Sequence, residues 1–444
     1  MSQVTYYPNE VFTPTLPAKL TFVERAAVDD KLVRALQTPG KQIVVFGHSG
    51  AGKTTLINNK LEQIFEAHIT TRCIAGMTFE QIVLNAFDQL SPYYKKDVQF
   101  EKSSGRKASL QSEYEIVKAG LELSSSEKES STSSRMLPPQ LTPQLLGALM
   151  GDAKACWLIE DFHKVGESEK VKLAQTMKVF MDVAASYPDL KVVAIGAVST
   201  GREVVKYDQE MSGRVAEISV PLMANEELRL IIEKGASLLG LTFDPSVERQ
   251  IVSLSNGLPA ICHQLCLNVC FAMNVISTAM PGRAVGQADL DAAIKMYIDD
   301  ASDTLKERYD RAVRNRRQGR FDNGRIIVKA LCEFDQDGAA YGNLHKSIKR
   351  NNADYPAGNL TQYLKELQSP ERGEVVGLDI ASGKFYFSDP FIRAFCQAKL
   401  GVNPGQLRST VWMKLISDIA NMVEATVEAN RKQEKQGSTK EGSE

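Results

Sequence analysis

The 444-residue sequence predicts an α/β fold, with a parallel sheet covered by helices on both faces, then a helical region, then a winged-helix domain. Three observations carry this. Short continuous apolar runs, KQIVVF (41–46), ACWLI (155–159) and KVVAIGAV (191–198), alternate with helix-period segments, as buried parallel strands do. The first run empties directly into a glycine-rich turn, GHSGAGKT. Far downstream, three helical stretches precede EVVGLDI, a Ser382-Gly383 turn and KFYFSD, which together signal a β-hairpin.

In chain order, residues 1–20 hold Pro8, Pro14 and Pro17 and little periodicity, so they read as an extended arm laid over the first domain. A helix is expected from about Glu24 to Leu36, before the 41–46 strand. After the glycine turn, Leu56, Ile57, Leu61, Ile64 and Phe65 recur at helical spacing. HITTRC (68–73) is strand-like and FEQIVLNAFDQL (79–90) helical. Between about 91 and 140 the pattern dissolves, and SSSEKESSTSS is too polar to offset its ordering entropy, so this stretch reads as an insertion with a flexible tip. The 155–159 strand, an amphipathic helix through 170–187, the 191–198 strand and AEISVPLM (216–223) complete a core over 21–223. Residues 224–305 are mostly helical, 306–400 hold a basic linker helix and the winged helix, 401–432 form an amphipathic helix, and 433–444 are a disordered tail.

Composition narrows the function classes. Lys plus Arg is 53 against 54 for Asp plus Glu, a net charge of -1, so no global excess recruits nucleic acid or an anionic membrane, and any such binding must be local. Apolar residues at 43% and charged residues at 24% exclude collagen-like, coiled-coil and wholly disordered chains. Seven scattered cysteines fit a reducing compartment rather than a disulfide framework, and with no basic-then-apolar leader the expected address is cytoplasmic. No Lys, Arg, Asp or Glu falls between Arg249 and Arg283, but Asn256, Pro259, His263, Gln264 and Asn268 interrupt the stretch, which reads as a buried helix and not a membrane span. Cys262, Cys266 and Cys270 line one helix face; that stripe suits core packing better than metal binding, which needs a fourth ligand and loop geometry.

The chemistry concentrates in Gly47, His48, Ser49, Gly50, Ala51, Gly52, Lys53 and Thr54, followed by Thr55. This is GxxxxGK[ST] between a strand and a helix, the context that its mechanism requires. Glycines let successive N–H groups turn toward phosphate oxygens, and the helix N-terminus adds a favourable dipole. Lys53 reaches the β and γ phosphates of ATP, and the Thr54 hydroxyl ligates Mg2+. A second motif is the apolar strand that ends in Glu160-Asp161, where one carboxylate can stand beside the metal and the next can orient water. By register Glu160 is the metal-side residue and Asp161 the water-side one. The more common order is Asp-Glu; the inversion leaves the division open and implies slow hydrolysis.

The order of these parts resembles AAA+ ATPases of the origin-recognition and STAND (signal-transduction NTPase) groups over about residues 20–400. The resemblance implies a P-loop NTPase sheet with a helical lid, followed by the winged helix. FVER (22–25) is similar to the segment that packs near adenine in those proteins, and Thr200 stands where their sensor-1 residue stands. Arg214 resembles the arginine finger that reaches a neighbouring subunit's nucleotide; Arg202 competes for the role, and a surface arginine is the alternative. Pro259, in Gly257-Leu258-Pro259, is similar to the GxP proline that lies against adenine, while no sensor-2 arginine is evident nearby.

The resemblance implies an ATP- and Mg2+-dependent regulatory switch that assembles into homo-oligomers, acts on a protein partner not identified by the sequence, and serves bacterial signalling or antiviral defence. The alternative is a DNA-binding initiator or transposition-type accessory ATPase. Eight basic residues (Lys306, Arg308, Arg311, Arg314, Arg316, Arg317, Arg320, Arg325) against three acidic ones make DNA a candidate partner, with Lys346, Lys349 and Arg350 extending the patch. The expected recognition helix offers Asn359, Gln362 and Lys365 but also Glu366, a weak set for base readout, so an intramolecular basic face competes with DNA contact.

Overall fold

A computed structural model describes residues 4–65, 67–90, 141–196, 213–315 and 319–402. The expected insertion at 91–140, Thr200, Arg202, Arg316, Arg317 and the C-terminal segments at 403–444 lie outside the described residues. The chain divides into two compact units, Thr15–Met223 and a second made of Met1–Pro14 with Ala224–Glu444.

The Thr15–Met223 unit is built on a five-stranded sheet, β1 (Gln42–Phe46), β2 (Ala67–Arg72), β3 (Ala155–Glu160), β4 (Lys191–Gly196) and β5 (Val215–Ser219), in the order β2-β3-β4-β1-β5. Every pairing is parallel. Alternate residues of the strands feed two separate cores, which is why the runs are apolar throughout. Ile43, Val45 and Leu158 face α2 (Ala26–Gln37) and α3 (Lys53–Ile64). Val44 and Trp157 pack with α4 (Phe79–Gln89), α5 (Pro143–Asp152) and α6 (Glu167–Asp182). Burying each such aliphatic or aromatic side chain is worth about 1.5–3 kcal/mol. Trp157 is fully buried, and its indole N–H donates to Thr71 Oγ1 at 3.1 Å, so the polar edge of the ring is not left unpaired. The helix placed at 170–187 by periodicity runs instead over Glu167–Asp182, because Glu167 and Glu169 favour its N-terminal dipole and start it one turn earlier.

In the second unit, residues 4–14 are not a plain extended arm over the first domain. Pro8–Val11 form one turn of helix, α1, and the arm packs within this unit. Tyr6 N donates to Thr278 Oγ1 at 2.9 Å and Thr278 N to Tyr6 O at 2.9 Å. Thr13 N donates to His263 Nδ1 at 3.0 Å, and Phe12 meets the same imidazole edge-on. The helical region comprises α7 (Asn225–Leu239), α8 (Pro245–Ser255), α9 (Pro259–Ala272) and α10 (Gln287–Asp299). Between them a short parallel pair forms, β6 (Leu241–Phe243) with β7 (Arg283–Val285). The uncharged 249–283 stretch holds the buried α9, and among the described residues no helix is long and apolar enough to cross a membrane.

Beyond α11 (Asp303–Val313), the order is α12 (Asn323–Cys332), β8 (Ala339–Ala340), α13 (Tyr341–Asn351), α14 (Ala357–Glu366), β9 (Val376–Asp379), β10 (Lys384–Phe387) and α15 (Pro390–Leu400). Strands β8, β10 and β9 make an antiparallel sheet with β10 central. Three helices and a hairpin lie over one apolar core, as the helical stretches and the hairpin signal of the sequence lead one to expect, and the two-residue β8 is an addition the sequence does not signal.

Candidate nucleotide site

The parallel strands put the loop after β1 and the end of β3 at the same, C-terminal edge of the sheet, on either side of β4. In open α/β sheets this edge is where ligands bind. Phe46 leads into Gly47, whose approach to β5 is so close that a Cβ there would lie 2.4 Å from the Val220 carbonyl oxygen. Gly50 and Gly52 adopt left-handed conformations with φ of 71° and 88°, and Gly52 caps α3. The N–H groups at the start of α3, from Lys53 to Thr55, have no acceptor within their own helix and stand at its positive pole.

Lys53 Nζ donates to the carbonyls of Gly47 at 2.9 Å and His48 at 2.8 Å, so the ammonium lies folded over the loop that it serves. Burial lowers its pKa and the carboxylate of Asp161 pulls it back up. Asp161 follows β3 with φ of 56°, caps the short 3-10 turn Phe162–Lys164, and accepts from Lys164 Nζ at 2.7 Å. Glu160 is the strand's last residue, in register with Arg72 of β2, whose Nε donates to Glu160 Oε2 at 2.9 Å. Cys73, next along, is buried beside these charges, and burial with Asp161 pushes its thiol up to about 12.

The FVER segment is anchored beside α3. Lys60 is buried, with its Nζ 3.3 Å from Glu24 Oε1, 3.6 Å from Asp29 Oδ2 and over the Phe22 ring. Arg25 N donates to Asp29 Oδ2 at 2.9 Å, and Arg25 Nη2 reaches the Leu222 carbonyl at 3.3 Å.

Other expected site residues fall elsewhere. Arg214 precedes β5 at the opposite, N-terminal edge of the sheet, where its backbone O accepts from Gln42 N and its guanidinium pairs with Asp182 at 2.9 Å. Pro259 opens α9 in the other unit. Thr200 lies outside the described residues. Sequence reading missed Arg72 and Lys164, since a cation ending HITTR gains meaning only once β2 is known to lie beside β3.

Among the described residues of the basic linker, Arg308, Arg311 and Arg320 have partners inside their own unit. Arg308 donates to the carbonyls of Gly373 and Glu374 at 2.9 Å each and to Ser388 Oγ at 3.0 Å, and pairs with Asp389. Arg311 pairs with Glu307, and Arg320 with Asp354 at 2.8 Å. His263, pushed down to about 4 by burial, is neutral and packed. Cys262, Cys266 and Cys270 are all buried, and among the described residues no group of three or more His, Cys, Asp or Glu side chains gathers to hold a metal ion.

The donor set fits a magnesium triphosphate: a glycine loop, a helix N-terminus, one lysine, a threonine hydroxyl in the first turn, and carboxylates at the neighbouring strand end. No protein-family model matches the chain, and no curated protein matches it. Solved structures of similar fold include the Walker-type ATPase of Pyrococcus abyssi, 13% identical over 85% of this chain and 96% of that one, with a TM-score of 0.49. Cdc6p of Pyrobaculum aerophilum is 13% identical over 90% of this chain and 100% of its own, at 0.44. The Aeropyrum pernix ORC1 protein, solved in complex with DNA, is 12% identical over 92% and 100%, at 0.40.

Proposed function

We propose that this protein is a magnesium-dependent, slowly hydrolysing ATPase that works as an AAA+/STAND-type regulatory switch and assembles into homo-oligomers. One observation supports it above the rest: the glycine loop, the N-terminus of α3 with Lys53, and the strand end that carries Glu160 and Asp161 stand at one edge of a parallel sheet. In this reading backbone N–H groups from Ser49 to Thr54 cradle the phosphates, Lys53 turns from the loop carbonyls to the β and γ phosphates, and Thr55 extends the helix N-terminus. Thr54 and Glu160 hold magnesium, which neutralises phosphate charge when bound. Arg72 Nε donates to Glu160 Oε2, and in this reading Oε1 serves the metal. Asp161 orients the attacking water. Thr200 senses the γ phosphate, Pro259 faces adenine and Arg214 acts on a neighbouring subunit's nucleotide.

The test is complementation. Asp161→Ala retains ATP and hydrolyses it slowly, Arg214→Ala loses hydrolysis, and mixing the two restores part of the activity because each supplies what the other lacks. No rescue removes the shared site. Light scattering that rises on addition of ATP supports assembly, and an unchanged signal contradicts it. The alternative, a DNA-binding initiator or transposition-type accessory ATPase, draws on Lys346, Lys349 and Arg350, exposed on α13. Its mark is duplex affinity that falls steeply with salt in the ATP-bound form.

A further inference from the structure

A cleft of about 330 Å³ runs between α12 and the C-terminal half of α13, a size at the lower end of the range that holds small-molecule ligands. Helix α12 lines it with Asp322, Arg325, Ile326, Lys329, Ala330 and Glu333, which recur at helical spacing and form one stripe along the helix and its caps. Across from them stand Ser347, Ile348, Asn351 and Asn352. Ile326, Ala330 and Ile348 give the cleft an apolar surface, and the last two are buried.

The charged groups of the cleft are unequally engaged. Asp322 Oδ1 accepts from Arg325 N at 3.4 Å and caps α12, and Glu333 Oε2 accepts from Ser347 Oγ at 2.5 Å. Ser347 is itself buried, so that bond fixes Glu333 at one end. Arg325 and Lys329 are exposed, one turn apart, and their side chains have no hydrogen bond or ion pair among the described residues. By contrast Arg308, Arg311, Arg320 and Arg372, in the same unit, all have carboxylate partners. Like charges at this spacing repel each other, and an anion held between them relieves the repulsion. A guanidinium offers paired donors to phosphate oxygens, an ammonium adds a second charge, and the amides of Asn351 and Asn352 can meet further polar groups. With two carboxylates fixed at the ends, a single negative charge gains little here and a dianion gains most.

We propose that this cleft binds a small phosphate monoester with an apolar body: the dianionic phosphate lies against Arg325 and Lys329, and the body rests on Ile326, Ala330 and Ile348. The site lies within one unit and is independent of the nucleotide reading.

The experiment is a ligand-observed NMR titration of the full chain with phenyl phosphate, inorganic phosphate and benzoate, for the parent and for Arg325→Gln, Lys329→Gln, Lys349→Gln and Lys53→Ala. The parent binds phenyl phosphate saturably at about millimolar affinity, and inorganic phosphate and benzoate each at least about threefold more weakly. Loss of one charge-assisted contact in Arg325→Gln or Lys329→Gln weakens phenyl phosphate about tenfold. Lys349, exposed on α13 but outside the cleft, is the control for a diffuse basic face, and its variant binds within about twofold of the parent. Lys53→Ala leaves phenyl phosphate binding unchanged, which separates this cleft from the glycine loop. No saturable binding in the parent, unchanged affinity in Arg325→Gln and Lys329→Gln, an equal loss in Lys349→Gln, or a loss in Lys53→Ala overturns the proposal. Inorganic phosphate bound as tightly as phenyl phosphate refutes the apolar body, and benzoate bound as tightly refutes the dianion.

Discussion

Gly47→Ala is the sharpest structural test of the glycine loop. An added Cβ would sit 2.4 Å from the Val220 carbonyl oxygen, nearly an ångström inside normal contact. Neither side has room to yield. Val220 N donates to the Phe46 carbonyl at 2.8 Å, Phe46 is in register with Ser219, and Val220 is buried. Overpacking of this kind costs roughly 1–3 kcal/mol, and with backbone on both sides of the clash the expected cost is about 2–3 kcal/mol. For a unit of this size that is a fall of about 4–12 °C in melting temperature. Thermal unfolding followed by far-UV circular dichroism reads it, with Gly166→Ala as the matched control, since a Cβ at Gly166 meets nothing within 4 Å. A Gly47→Ala protein that melts within about a degree of the control would refute the close approach of the loop to β5 and, with it, the loop geometry from which phosphate binding is argued.

Asp161→Ala should bind ATP and hydrolyse it slowly; steady-state phosphate release equal to that of the parent removes Asp161 from the mechanism. Stability should drop at alkaline pH. Burial pushes the thiols of Cys73, Cys270 and Cys332 up to about 12, and raises those of Cys156, Cys266 and Cys396 as well, so above about pH 8.5 the unfolded chain releases protons that the folded chain keeps. Each such thiol then removes about 1.4 kcal/mol per pH unit. Lys191, pushed down to about 8 by burial, and Lys53, also lowered by burial, act in the opposite direction below about pH 10.4, but they are two groups against six thiols, so the net sign is loss. Urea midpoints at pH 8 and pH 10 check this, and an equal or higher midpoint at pH 10 contradicts it. Arg372→Met should destabilise the second unit by about 2–4 kcal/mol, because a buried guanidinium that bonds Glu366 and the carbonyls of Arg311 and Arg314 leaves all three behind. A denaturation midpoint unchanged from the parent shows those bonds to be worth nothing.

The sheet was legible because its strands are buried on both faces: Ile43 and Val45 go to one core and Val44 to the other, so the run is apolar without alternation. The glycine loop after β1 was legible because Gly50 and Gly52 take left-handed conformations that favour glycine at fixed spacing. What stayed hidden depends on residues distant in the chain. His263 carries no mark that Thr13 is its partner, nor Glu160 that Arg72 is its neighbour, and both follow only from topology. The run of arginines from 308 to 320 reads as a nucleic-acid patch until the carbonyls of Gly373 and Glu374 are seen to take Arg308. The pair β6 and β7 escaped because three residues are too few to show a period.

The most direct measurement is calorimetric titration of magnesium-ATP into the full chain and into Lys53→Ala. The account predicts saturable binding with one nucleotide per chain in the parent and its loss in the variant, a drop of at least about thirtyfold for removing a charge-assisted contact to phosphate. Absence of binding in the parent, or equal affinity in the two proteins, would contradict it.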